Sequence, residues 1–179
     1  MTEAQVLAHS LGIWHRLSKV PKCRPVMVTE SPIRNLESYS DLCSWGNVPW
    51  EAYLARTEQI TLLPEPATVS YARRCRYTWA SDLCQAAATS ILPVLAGRPV
   101  LAFGRKVFRA LGCGRGKAWD PYVPYESRCP CGCKAVLQFI AMPDPRGLCG
   151  PQVSHEARAK AGAFFSRVVN VRQLMATSN

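Results

Sequence analysis

The sequence has 179 residues, 48% of them apolar, a size that suits one compact domain with its own core and excludes two ordinary domains. The formal net charge is +10 and the pI about 9.4, which points to a polyanionic partner such as nucleic acid, with a solvated basic surface as the alternative. Residues 1–66 hold 6 Lys/Arg against 7 Asp/Glu, whereas residues 67–179 hold 16 against 5, so the basic character belongs to the second part.

The chain contains no run of about 20 apolar residues, so we expect no membrane partner. Its N-terminal segment has an acid at Glu3, no basic stretch and no clear cleavage site, which does not fit a signal peptide. We therefore expect a cytoplasmic protein, and a monomer, whose nine cysteines are reduced thiols.

Hydrophobic periodicity predicts helices and strands in alternation. In chain order they are a helix over 3–18, strands over 25–28 and 59–63, a helix over 70–95, a strand over 99–103, a short helix over 105–111, a strand over 135–142 and a closing helix over 152–175. This order predicts a three-layer α/β fold, with a central, mainly parallel four-stranded sheet and helices on both faces. We expect a single domain over 1–179, with a basic, Cys-rich insertion at 112–134.

Three loops follow predicted strands, at residues 29–35, 64–70 and 143–151. In a parallel sheet, ligands bind beyond the carboxyl ends of the strands, so we expect these loops to build the functional site.

Motifs at the ends of the predicted strands resemble those of one enzyme family. The segment VMVTESPI at 26–33 is similar to the first motif of uracil-DNA glycosylases, GQDPY or GEAPG, and MPDPRGLC at 142–149 resembles the second, HPSPLS or NPSGLS. Between them, VLAFGRKVFRALG at 100–112 is similar to a strand and helix of the type VVxLGxxAxxALG. More weakly, Pro64 stands where the base-reading strand of that family ends in Asn. The resemblance spans roughly residues 24–170.

The resemblance implies a DNA glycosylase that hydrolyses the N-glycosidic bond of a base flipped out of duplex DNA and leaves an abasic site. Asp144 and Pro64 replace the residues that would serve a uracil specialist. Among superfamily members, the antiviral enzymes of bacteria therefore fit best, with a bulky modified pyrimidine such as glucosylated hydroxymethylcytosine in phage DNA as substrate. The alternatives are a repair glycosylase for uracil or another deaminated base, and a non-catalytic DNA-binding protein on the same fold.

Two carboxylates are the candidate catalytic groups. Glu30 matches the acidic position of the first motif and would orient or deprotonate a water molecule; it is otherwise a turn cap or an ion-pair partner. Asp144 would assist the water or accept a hydrogen bond from the substrate; it is otherwise a turn residue. No lysine lies in either loop motif, so we expect a monofunctional enzyme. Candidates for the base pocket are Ser31, Pro32, Trp45, Pro64 and Glu65.

Basic and apolar residues are candidates for DNA contact. Leu148 matches the wedge that fills the gap left by a flipped base, which requires an exposed side chain; the alternative is a core residue. The candidates for phosphate contact are Arg73, Arg74, Arg105, Lys117 and Arg146. A single one of them is more often a solvated charge, so the clusters are better candidates than any one residue.

The cysteines of the predicted insertion are candidate ligands of a structural zinc. Thiolates bind Zn²⁺ in sets of four, and the set here is Cys113, Cys129, Cys131 and Cys133. Free thiols in a hairpin turn are the alternative, and a zinc-dependent nucleic-acid module of another fold is a third functional hypothesis. No cofactor is expected to be required for catalysis.

Overall fold

The computed structural model describes residues 2–32, 44–45, 48–49, 54–64, 78–112, 118–129, 133–144, 148 and 153–176. The helices are α1 (Glu3–Leu17), α2 (Thr78–Leu95), α3 (Arg105–Ala110) and α4 (His155–Ala176). The strands are β1 (Val26–Thr29), β2 (Ser44–Trp45), β3 (Val48–Pro49), β4 (Glu58–Thr61), β5 (Val100–Phe103), β6 (Pro124–Arg128) and β7 (Val136–Met142).

The main sheet has five strands in the order β4-β1-β5-β7-β6. Strands β4, β1, β5 and β7 are parallel, and they correspond to the four strands predicted from the sequence. Strand β6 pairs antiparallel with β7 at one edge. Strands β2 and β3 form a separate antiparallel pair.

Alternate residues of each central strand pack against helices on opposite faces of the sheet. Val26 and Val28 of β1 belong to the larger core, which includes buried side chains of α1, α2 and α3. Met27 of the same strand lies in the smaller core, where Ala161 and Phe164 of α4 pack. Apolar side chains thus point to both faces, which is why these strands are continuous apolar runs in the sequence. The mixed α/β architecture with helices on both faces is confirmed.

The prediction of a four-stranded sheet beside an insertion at 112–134 is wrong in one respect, because β6 lies within that segment. In β6, Ser127 is buried, and Tyr125 packs against Phe108 and Phe139 with ring centroids 4.7 and 5.8 Å away. An edge strand with one apolar side chain gives almost no periodic signal, whereas its Gly-, Pro- and Cys-rich surroundings indicate a loop.

Arg98 fixes the junction of α1, α2 and β5 from a position that is only 5% exposed. Its guanidinium donates hydrogen bonds to four backbone carbonyl oxygens, those of Leu17, Val20, Pro21 and Val94, at 2.6 to 3.1 Å. Burial lowers the pKa of this guanidinium, and nearby Cys23 and Glu58 oppose the change. The Leu17 carbonyl ends α1, so the cation also lies at the negative end of that helix dipole.

None of the helices in the described part of the chain combines the length and the apolarity needed to cross a membrane.

Candidate active site

Glu30 directly follows β1, where parallel pairing carries its backbone to the carboxyl edge of the sheet. The Glu30 carbonyl accepts a hydrogen bond from the Leu63 amide at 2.9 Å, which extends the β1–β4 ladder beyond the last strand residues. The side chain is 8% exposed, and its Oε1 accepts a hydrogen bond from Lys106 Nζ at 2.6 Å. A buried carboxylate needs such a partner, because an isolated charge is costly to remove from water.

Asp144 follows β7 and lies beside the end of β5. The register pairs Phe103 with Met142, so the residues after these strands, Gly104 and Asp144, meet at the same edge. A β-carbon built on Gly104 would lie 3.4 Å from Asp144 Oδ2. The Asp144 carbonyl also accepts a hydrogen bond from the Leu148 amide at 3.2 Å.

The two carboxylates line one cavity of about 340 Å³. Its described walls come from the ends of β1, β5 and β7 and from the start of α3: Glu30, Phe103, Gly104, Arg105, Lys106 and Asp144. This volume is within the usual range for small-molecule sites. The structure therefore brings together Glu30 and Asp144, which are 114 positions apart in the sequence.

Lys106 and Cys84 are electrostatic neighbours of Glu30, and neither was predicted from the sequence. The Lys106 side chain is 48% exposed, so its ammonium group lies between Glu30 and solvent. Burial, followed by the negative charge of Glu30, raises the pKa of the Cys84 thiol to about 12, whereas Lys106 acts to lower it. The position of Lys106 two residues beyond the Gly104 turn was the available signal, because the first residues of a helix after a parallel strand lie at the carboxyl edge.

The Cys84 environment gives a testable reactivity. An ordinary thiol has a pKa near 8.5, so a pKa of about 12 reduces the thiolate fraction at pH 8 by roughly a thousandfold. We expect iodoacetamide to label exposed Cys23 in the native protein at pH 8 and to leave Cys84 unmodified until the protein is unfolded. Peptide mass spectrometry would measure this, and equal labelling of the two native thiols would contradict the burial of Cys84.

Gly104 makes the turn from β5 into α3 with φ +87° and ψ 159°, a conformation that is essentially restricted to glycine. We expect Gly104→Ala to lower the free energy of unfolding by about 1–3 kcal/mol, because the methyl group is strained there and contacts Asp144. Gly12→Ala is the control, for which we expect the free energy of unfolding to change in the opposite direction. Gly12 lies within α1 with open space around it, so alanine should stabilise the protein by about 0.5–1 kcal/mol. Urea denaturation of both variants checks the pair, and a Gly104→Ala variant as stable as the wild type would rule out this turn.

The expectation that Leu148 is an exposed wedge is wrong for this structure. Leu148 is 6% exposed and packs in the smaller core with Met27, Phe103 and Met142. Its carbonyl accepts a hydrogen bond from Arg158 Nε of α4 at 2.9 Å, which links Leu148 to that helix. The apolar residue of a Gly/Pro loop is here a core residue, the alternative that the sequence left open.

The other predicted pocket residues do not line the cavity that Glu30 and Asp144 share, as far as the described residues show. Ser31 is 5% exposed, and its carbonyl accepts a hydrogen bond from Thr29 Oγ1 at 3.4 Å. Pro32 lines a second cavity described below, and Pro64 is half-buried in the loop after β4. Trp45 belongs to β2, with its side chain outside the described part, and Glu65 is also outside it.

Arg105 is the predicted phosphate-contact residue that the structure places at the cavity. It is exposed, and its guanidinium carbon lies 5.0 Å from the centre of the Trp119 ring. Such a cation–π contact holds a basic group in place while leaving it accessible. The other four predicted phosphate contacts, Arg73, Arg74, Lys117 and Arg146, lie outside the described residues.

The cysteine segment connects β6 to β7, and two of its cysteines, Cys129 and Cys133, are described. The Cys129 amide donates a hydrogen bond to the Ala135 carbonyl at 3.1 Å, directly after the last β6–β7 residue pair. The Cys129 thiol is buried and that of Cys133 is exposed. Cys113 and Cys131 lie outside the described residues, among which no cluster of three metal-binding side chains occurs. The zinc hypothesis remains a prediction.

A larger cavity of about 700 Å³ lies between α1 and edge strand β4. His9 Nε2 lies 2.8 Å from the Thr61 carbonyl oxygen, and Arg16 donates a hydrogen bond to the Gln59 carbonyl. Side chains of α1 therefore bind backbone carbonyl groups of edge strand β4. Among its described lining residues the one carboxylate is Glu58, which is paired with Arg24 at 2.8 Å. The smaller cavity differs in being lined by two carboxylates, Glu30 and Asp144, at the carboxyl edge of the sheet.

Comparisons of this chain with protein-family models, curated proteins and solved structures gave no match. The geometry of the site therefore carries the functional argument.

Proposed function

We propose that this chain is a DNA glycosylase that hydrolyses the N-glycosidic bond of a flipped-out base and leaves an abasic site. The observation that carries this proposal is the pair Glu30 and Asp144 on one cavity at the carboxyl edge of the sheet. Cleavage of this bond develops positive charge on the sugar, which nearby carboxylates stabilise. The net charge of +10 supports DNA as the partner.

In this proposal the carboxylates have distinct roles. Glu30, held by Lys106, orients the attacking water and accepts its proton. Asp144, beside Gly104, stabilises the sugar cation or accepts a hydrogen bond from the substrate. Arg105 at the rim contacts a backbone phosphate and positions the flipped nucleotide.

For the substrate we propose a bulky modified pyrimidine, such as glucosylated hydroxymethylcytosine in phage DNA, with antiviral defence in a bacterial cytoplasm as the role. The support is the sequence: Asp144 and Pro64 stand where the similar motifs of uracil specialists carry His or Asn. A repair glycosylase for a deaminated base makes the same use of the two carboxylates and differs in the base it releases.

A DNA-binding protein without catalysis is the second candidate, favoured by the ion pair that already engages Glu30. One experiment separates the candidates. The protein is incubated with DNAs that carry uracil, hypoxanthine, hydroxymethylcytosine or its glucosylated form, and free bases are identified by mass spectrometry. Release from the glucosylated DNA supports the proposal, release of uracil or hypoxanthine alone supports repair, and salt-sensitive binding without release supports the second candidate.

A further inference from the structure

The Lys106 amine offers this site a second reaction. Lys106 lines the same cavity as Glu30 and Asp144, and its side chain is 48% exposed. This is the cavity in which the proposed function places the flipped nucleotide.

Glu30 is also placed to activate this amine. A protonated amine is not a nucleophile, so Lys106 must lose a proton before it can attack, and an adjacent base serves that purpose. Glu30 Oε1 is 2.6 Å from Nζ, within direct proton-transfer distance. Asp144, which lines the same cavity, provides a second base for a later step.

We propose that the protein is also an abasic-site lyase, with Lys106 as the nucleophile. The two loop motifs contain no lysine, which is the basis for expecting a monofunctional enzyme, whereas Lys106 lines the cavity from α3. The inference rests on the proposed function for its DNA substrate, whose abasic sugar is the product of base release.

The chemistry balances without an oxidant or a reductant. Lys106 transfers a proton to Glu30 and attacks C1′ of the open aldehyde sugar; the nitrogen passes a second proton to the aldehyde oxygen, and Glu30 returns its proton as that oxygen leaves as water, which gives an iminium. Asp144 then removes a C2′ proton, the C2′–H electron pair forms the C2′=C3′ double bond, and the C3′–O bond breaks, so that the strand on the 3′ side leaves with a 5′-phosphate, which takes up the proton from Asp144. Water hydrolyses the iminium and restores Lys106.

Borohydride trapping tests this inference on duplex DNA that carries a preformed abasic site, so that base release is not needed. We expect a covalent protein–DNA adduct with the wild type, mapped by peptide mass spectrometry to Lys106 and lost in Lys106→Arg, which keeps a cation for Glu30. Lys22→Arg is the matched control, because exposed Lys22 precedes β1 at the opposite end of the sheet.

The outcomes are distinguishable from those of the base-release experiment. Absence of an adduct, an adduct unchanged in Lys106→Arg, or mapping to another amine such as the N-terminus would overturn the inference. If Lys106→Arg fails to fold, mapping of the wild-type adduct decides alone. Base release without an adduct would leave the glycosylase proposal standing and remove the lyase, whereas an adduct on Lys106 without base release would do the reverse.

Discussion

Replacing Glu30 with Gln is expected to reduce base release by about 10²–10⁴-fold, the usual contribution of a general base. The amide keeps the shape of the carboxylate, and its oxygen can still accept a hydrogen bond from Lys106. It cannot accept the proton of the attacking water, and it carries no charge to stabilise the sugar cation. The protein should remain folded and bind DNA with unchanged or higher affinity, because a negative charge near the phosphates is removed.

The matched control for this prediction is Glu58→Gln. Glu58 is also paired with a basic side chain, Arg24 at 2.8 Å, but it lies at the start of β4, at the amino end of the parallel sheet. We expect Glu58→Gln to retain the wild-type rate. Single-turnover base release and fluorescence-anisotropy binding would be measured on the same modified duplex. Full activity in Glu30→Gln would remove Glu30 from the mechanism.

Arg98→Met is expected to lower the free energy of unfolding by about 3–6 kcal/mol, because the two buried hydrogen bonds, to the Leu17 and Val94 carbonyls, contribute roughly 1.5–3 kcal/mol each. Four carbonyl oxygens depend on this guanidinium, including that of Leu17 at 2.6 Å. Methionine retains much of the aliphatic stem, so the loss reports mainly on hydrogen bonds. Arg98→Lys should have an intermediate effect, because an ammonium group cannot reach all four acceptors.

Arg56→Met provides the control, since Arg56 is exposed and we expect a change within about 0.5 kcal/mol. Urea denaturation would give the midpoint and the m-value for each variant. A shift of midpoint at constant m identifies a change in stability. If Arg98→Met were as stable as Arg56→Met, the hydrogen bonds of Arg98 would not contribute to the free energy of unfolding as the structure implies.

The parallel strands were predictable because strands buried on both faces are continuous apolar runs in the sequence. All four residues of β5 are buried, and the strand predicted over 99–103 differs from it by one residue. Strand β6 was not predictable, because its one buried serine and the packing of Tyr125 on Phe139 depend on a partner strand.

The candidate site was partly predictable for a related reason. Glu30 and Asp144 follow apolar strands, and parallel pairing brings such positions to one edge whatever their separation in the chain. Lys106 was missed because one basic residue in a short helix looks like any solvated charge until its distance to Glu30 is known. Leu148 was misread because loop composition indicates exposure, whereas contacts with β1, β5 and β7 decide its burial.

Counting the products formed from modified DNA, with the proposed substrate first, tests the central claim most directly. Duplex DNA that contains glucosylated hydroxymethylcytosine would be incubated with excess protein, and both free base and abasic sites would be quantified. In the absence of borohydride, we predict that the number of abasic sites equals the number of bases released. Abasic sites that have been converted to strand breaks are included in this count. Intact DNA with no free base, from this substrate and from every other modified DNA tested, would contradict the account of Glu30 and Asp144 as a base-excising pair.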